Sequence, residues 1–210
     1  MAKSLDHVVS DIKRSEKARK RLLNIAVDID NTLITLPVIP YLEKQHGLKM
    51  KSEELTHWDF RNLPEHIRTD LLAQFKNPEF VCTTHAIVEA YGRLRDWKLA
   101  GHRIFLITKR SANLFGPTWI QIEREFPGMI EDIAFIAPED NKKAALKYCR
   151  ADIFIDDYCV QDGLDLGIPT WLISNPETVY NHGLREDERL NQALNISYVR
   201  TGTDARAFGY

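Results

Sequence analysis

Five short apolar runs set the limits on how this chain can fold. Leu22 to Ile29, Ile104 to Ile107, Ile133 to Ile136, Ile153 to Ile155 and Trp171 to Ile173 are nearly continuous, as strands covered on both faces must be. Helical patterns lie between them, over 86 to 99, 115 to 126, 140 to 149 and 158 to 165. Strands alternating with helices predict an α/β fold, a parallel sheet wound with helices on both faces. Gly101 and Gly167 stand just ahead of strands, where a helix-to-strand connection calls for positive φ.

One stretch breaks the rhythm. From Pro37 to Pro78 no strand pattern is visible, and short helices are expected around Tyr41 to His46, Ser52 to Trp58 and Pro64 to Phe75, joined by Gly and Pro. The expected organisation is therefore a helical extension over 1–21, a core from 22–36 and 79–210, and a small helical insertion over 37–78 folded over the C-terminal edge of the sheet. In the extension, Lys17, Arg19, Lys20 and Arg21 end a helical pattern, where cations complement the helix dipole. The tail after Asn195 offers nothing to chemistry.

Charge and cysteine content narrow the class of function. A net charge of −2 gives no global reason to expect stable binding to nucleic acid or an anionic membrane. Cys82, Cys149 and Cys159 form no C-x-x-C pair, which speaks against structural zinc and a disulfide framework. With no apolar leader pattern and no run approaching roughly 18 apolar residues, a soluble cytoplasmic protein is expected.

In an open parallel sheet, ligands bind beyond the carboxyl ends of the strands. Those ends here carry Asp28 and Asp30, then Thr108, then Asp156 and Asp157, while Lys142 and Lys143 open the helix before the fourth strand. Two like charges about 4 Å apart repel by about 4 kcal/mol at an effective dielectric near 20, against a total stability of roughly 5 to 15 kcal/mol. Four carboxylates on one rim therefore demand a cation, and hard oxygen donors without His or Cys point to Mg²⁺. The Asp-x-Asp spacing puts both side chains on one side of an extended segment, so one carboxylate can attack phosphorus while the other exchanges a proton with the leaving oxygen. The Thr108 hydroxyl and the Lys142 ammonium suit phosphate oxygens.

Asp28-Ile29-Asp30-Asn31-Thr32-Leu33 resembles the first motif of the haloacid dehalogenase superfamily, D-x-D-x-T-L, with Asn31 where Gly is commonest. Phe105 to Thr108 is similar to the second motif, Lys142 to the third, and Ile153 to Asp157 to the fourth. The resemblance implies that Asp28 forms an aspartyl-phosphate and Asp30 serves as acid, then base. It also implies a metal held by Asp28, the Asp30 backbone carbonyl and Asp157, with Asp156 orienting the lysine or a bound water. Adjacent helical residues point about 100° apart, so only one of Lys142 and Lys143 can reach the site; family spacing favours Lys142.

Within the superfamily, the insertion after the first motif, Gly101-His102-Arg103, Trp58-Asp59-Phe60 and Asn77-Pro78-Glu79-Phe80 look like the 5'(3')-deoxyribonucleotidase group. That likeness implies a small phosphorylated substrate, a nucleotide, with Trp58 and Phe60 stacking the base or forming the core of the insertion. Asn31, Thr32, Lys109, Arg110 and Lys143 are further candidates for holding substrate. The alternatives are a non-catalytic nucleotide- or phosphate-binding module, and a phosphatase for sugar phosphates or nucleic-acid 3' ends. A two-component receiver domain is excluded by motif order, because there the acidic pair precedes a separate phosphoacceptor. The sequence does not give the oligomeric state.

Overall fold

The computed structural model describes residues 22–51, 54–55, 59–157, 166, 168, 170–174 and 196–200. The expected helices over 1–21 and 158–165, most of the one around Ser52 to Trp58, and Gly167 lie outside these residues.

Among the described residues, six parallel strands form one sheet in the order β3-β2-β1-β4-β5-β6. They are β1 (Asn24–Val27), β2 (Arg103–Thr108), β3 (Asp132–Phe135), β4 (Ile153–Asp156), β5 (Thr170–Ser174) and β6 (Ile196–Arg200). The first five coincide with the apolar runs. β6 falls in the tail whose sequence suggested no element, and its backbone pairs in register with β5 from Thr170↔Ile196 to Ser174↔Arg200.

Alternation along β1 shows why these runs are apolar on every residue. Ile25 and Val27 join one core cluster with Ile104, Leu106, Leu94, Trp97, Ile122 and Phe126. Ala26 joins the opposite cluster with Phe105, Ile107, Phe154 and Leu146. Both faces of the strand are therefore covered, so neither phase of the two-residue period can be polar. The covering helices are α4 (Val88–Leu99) and α5 (Phe115–Glu125) on the first face, and α6 (Lys143–Tyr148) on the other. Gly101 takes φ +88 between α4 and β2, as the connection requires.

Between β1 and α4 lie α1 (Val38–His46), α2 (Glu65–Gln74) and the short α3 (Pro78–Val81). These pack around a hydrophobic cluster of their own, which includes Leu42, Phe60, Ile67, Leu71 and Phe80. Tyr41 of α1 donates to Asp70 of α2 at 2.5 Å, and His46 bonds the same carboxylate oxygen at 2.9 Å, which ties the two helices together. Among the described residues, no helix is long and apolar enough to cross a membrane.

Candidate active site

The sheet register places the site. β1 pairs with β2 on one side and β4 on the other, so the residues that follow all three strands emerge side by side. The Asp28 backbone N–H extends the ladder by donating to Ile155 O at 2.8 Å. A cavity of about 490 Å³ opens at these ends, lined by Asp28, Asp30, Thr108, Lys109, Arg110, Lys142, Asp156 and Asp157. Leu36, Leu72, Phe75, Lys76 and Val81 complete much of its wall.

Carboxylate oxygens of Asp28, Asp156 and Asp157 lie within 4.8 Å of one another, and all three residues are buried. One ammonium sits among them. Lys142, at the N-cap of α6, places Nζ 2.7 Å from Asp28 Oδ1 and 2.7 Å from Asp156 Oδ2. The neighbouring Lys143 is exposed and does not line the cavity, as the 100° angular step of a helix requires.

Among the described residues, three buried carboxylates share one bonded ammonium, and positive charge is short there. Burial pushes the Asp28 carboxyl up to about 7; Lys142 pulls it down, while Asp156 and Asp30 push it further up. Burial likewise raises Asp157 well above the carboxylate range, with the Asp156 and Asp28 charges adding to the effect. For Lys142, burial favours losing the proton, but Asp156 and Asp28 outweigh it, so its pKa rises and it stays an ammonium. The all-oxygen donor set and its surplus negative charge fit a hard divalent cation such as Mg²⁺.

Asp30 stands apart from this cluster. Its carboxylate receives Arg110 Nε at 3.2 and 3.0 Å on its two oxygens, and Arg110 Nη2 at 2.7 Å. Arg110 is thus a buried partner of Asp30, not a loop cation turned to solvent. Burial works against its charge, but the Asp30 carboxylate more than compensates and its pKa moves up. The Thr108 hydroxyl oxygen accepts from Arg110 N–H at 3.1 Å and is buried.

Several sequence candidates fall elsewhere. Asn31 turns the chain after β1 with φ 58, and Leu36 N–H donates to its side chain at 3.4 Å, so it shapes the turn and does not line the cavity. Asn suits this left-handed conformation, since it is among the residues that adopt it most readily. Thr32 is buried away from the cavity lining. Phe60 is packed inside the helical cluster, the second of its two expected places, stacked on Phe75 at 5.8 Å between centroids; among the described residues, Phe75 is the aromatic that lines the cavity. Trp58 lies outside the described residues. Lys109 lines the cavity, with Nζ 3.4 Å from Pro138 O.

Sequence reading missed Gln121, Thr118 and Phe75. The first two were detectable as polar residues at 118 and 121 on the buried stripe of α5 beside Ile122, where a fully buried amide needs a partner. Phe75, at the end of a short amphipathic stretch, carried no such signal.

No protein-family model matches the chain, and no curated protein matches it by sequence. Solved structures do. A candidate phosphoglycolate phosphatase from Lactobacillus delbrueckii superimposes with a TM-score of 0.56 at 11% identity, over 85% of this chain and 94% of that one. A haloacid dehalogenase family hydrolase from Deinococcus radiodurans, with bound phosphate and sodium, gives 0.55 at 16% identity, over 86% and 91%. A phosphonoacetaldehyde hydrolase-like protein from Oleispira antarctica gives 0.52 at 15%, over 85% and 87%. At these identities the likeness is one of fold, and the chain has the α/β architecture of haloacid dehalogenase-like hydrolases.

Proposed function

We propose that this chain is a Mg²⁺-dependent phosphomonoester hydrolase that works through an aspartyl-phosphate on Asp28, with nucleoside or deoxynucleoside monophosphates as substrates. The observation that carries this reading is a buried Asp28 facing a cavity, held at 2.7 Å by Lys142, beside two further buried carboxylates.

In this reading an oxygen of Asp28 attacks phosphorus as the bond to the leaving oxygen breaks, and Asp30 supplies a proton to that oxygen. Asp30 then accepts a proton from the water that hydrolyses the acyl phosphate and regenerates Asp28. Lys142 and the Thr108 hydroxyl neutralise and orient the phosphoryl oxygens. Asp156 holds Lys142 at 2.7 Å, which suits it to orienting the lysine, while Asp28, Asp157 and the Asp30 carbonyl would hold the metal. The ion, when bound, supplies charge neutralisation for a dianionic phosphate.

The apolar lining favours a nucleotide over a polyol. Leu36, Leu72, Phe75 and Val81 offer no hydrogen bonds to sugar hydroxyls, whereas stacking on a ring such as Phe75 is worth about 1 to 3 kcal/mol for a base. Residues 37–78 act in this reading as a cap over the site. The test is phosphate release from p-nitrophenyl phosphate, deoxynucleoside monophosphates, sugar phosphates and a 3'-phosphorylated oligonucleotide, each with and without Mg²⁺. We expect Mg²⁺-dependent release, with the highest kcat/KM on deoxynucleoside monophosphates. Tight nucleotide binding without release at any pH would make the protein a binding module instead; faster turnover of sugar phosphates or the oligonucleotide would move the substrate class.

Stability should report the metal independently of turnover. The folded metal-free protein holds the Asp28 proton up to about 7, whereas the unfolded chain releases it near 3.8. Between these values the folded state binds more protons, so this contribution is full below 3.8 and is lost as pH rises through 7. Asp157 acts in the same direction. A divalent ion competes with those protons, so the Tm increase on adding Mg²⁺ to EDTA-treated protein should be small at pH 5 and grow towards pH 8. A shift independent of pH would place the ion elsewhere.

A further inference from the structure

Arg110 has more partners than an ion pair requires. Besides its three contacts with Asp30, Nη1 donates to Gln121 Oε1 at 2.8 Å and to Thr118 Oγ1 at 3.1 Å, and lies 3.8 Å from Cys82 Sγ. Thr118 and Gln121 are fully buried, and the Arg110 side chain is 2% exposed against 25% for Asp30. Gln121 in turn donates from Nε2 to Val81 O at 3.3 Å, Thr84 O at 3.0 Å and Thr84 Oγ1 at 3.3 Å. The guanidinium is thus fixed from behind by α5, and α5 is fixed to the segment through which the chain returns from the helical insertion.

Given the phosphohydrolase reading above, on which this depends, we infer that Arg110 is the positioning residue for Asp30: it binds no substrate, but aims the Asp30 carboxylate into the cavity and keeps it out of the Asp28, Asp156 and Asp157 cluster. A phosphate-binding role is disfavoured by geometry. Nε and Nη2 face Asp30, and Nη1 is turned towards α5 by Gln121 and Thr118. Without Arg110, no other described cation would hold Asp30, a carboxylate two residues from Asp28, off the acidic cluster. The planar fork is what permits this: it grips both Asp30 oxygens while donating backwards, which the point charge of a lysine cannot do.

The test is a kinetic double-mutant cycle in the full-length protein with an aryl phosphate. Arg110→Lys should lower kcat about 10- to 100-fold with KM changed less than about threefold, the pattern of a lost transition-state contact. In an Asp30→Asn background the same change should cost less than about twofold, because a residue acting through Asp30 has nothing left to act on. Gln121→Leu, which keeps both charges, should lower kcat about 3- to 10-fold at unchanged KM if it secures the fork, and it reads out the inference where Asp30→Asn is too slow to measure. A higher KM at constant kcat would assign Arg110 to substrate. An effect that persists undiminished without Asp30, or a wild-type kcat in Gln121→Leu, overturns the inference while leaving the hydrolase reading intact. Wild-type protein that releases phosphate from no monoester sinks both.

Discussion

Replacing Asp28 with Asn should reduce phosphate release by at least about 10⁴-fold, since in the proposed mechanism it removes the covalent nucleophile and leaves only binding and electrostatics to act. The amide is nearly isosteric, and Lys142 keeps its 2.7 Å contact with Asp156, so the fold should persist. Above pH 7 the metal-free variant should melt at a higher temperature than wild type, because it no longer buries a carboxylate whose ionisation burial opposes. Mass spectrometry of the wild-type protein quenched during turnover should show one added phosphoryl group, absent from Asp28→Asn. Substantial residual turnover in the variant would mean that another group attacks phosphorus.

The second large effect is expected from Lys142→Met. It removes the ammonium bonded to both Asp28 and Asp156, taking a counter-charge from buried carboxylates. Breaking a buried pair from one side costs roughly 3 to 5 kcal/mol. Protonation of Asp28 provides partial relief, so the lower end applies: about 3 kcal/mol, or roughly 10 °C in Tm for a chain of this size. The loss should be greatest at high pH, where that relief disappears, and kcat should fall about 10²- to 10³-fold. Lys143→Met is the contrasting variant: its side chain is exposed, and both Tm and kcat should stay near wild type. Thermal melts across pH, with and without Mg²⁺, separate the two lysines. Equal effects from both would mean that Lys143 as well as Lys142 turns into the site.

The sheet and its acidic rim were readable from the chain because both are local. An apolar run such as Ile104 to Ile107 announces a strand covered on both faces, and the charged residue that ends it marks where the strand leaves the core. Asp28, Thr108, Asp156 and Asp157 were identified in this way, Lys142 by its spacing to the Asp pair in the resemblance, and all five line one cavity. Arg110 was not readable. Its inward course depends on Asp30, 80 residues away, and on a glutamine of α5, and nothing in Thr108-Lys109-Arg110 distinguishes a buried guanidinium from a solvated one. The two places open to Phe60, stacking a base or packing the insertion, look alike in the sequence; its packing against Phe75 inside the helical cluster is a tertiary outcome. β6 was missed because Ile196 to Arg200 carries only a short alternating signal inside a polar tail, and pairing with β5 supplies what propensity lacks.

The adjacency of β2, β1 and β4 has a bearing on how such a protein can change. The groups that line its cavity are spaced by hydrogen-bond ladders, with Val27 level with both Leu106 and Ile155. A slip of one rung in either ladder would carry a whole set of groups about 3.3 Å along the sheet and turn each to the opposite face. Loops such as the long excursion between β1 and α4 can lengthen, shorten or be exchanged without altering that spacing. Variation is therefore free to accumulate in the excursions, while the spacing of the acidic rim is stored in the weave beneath them.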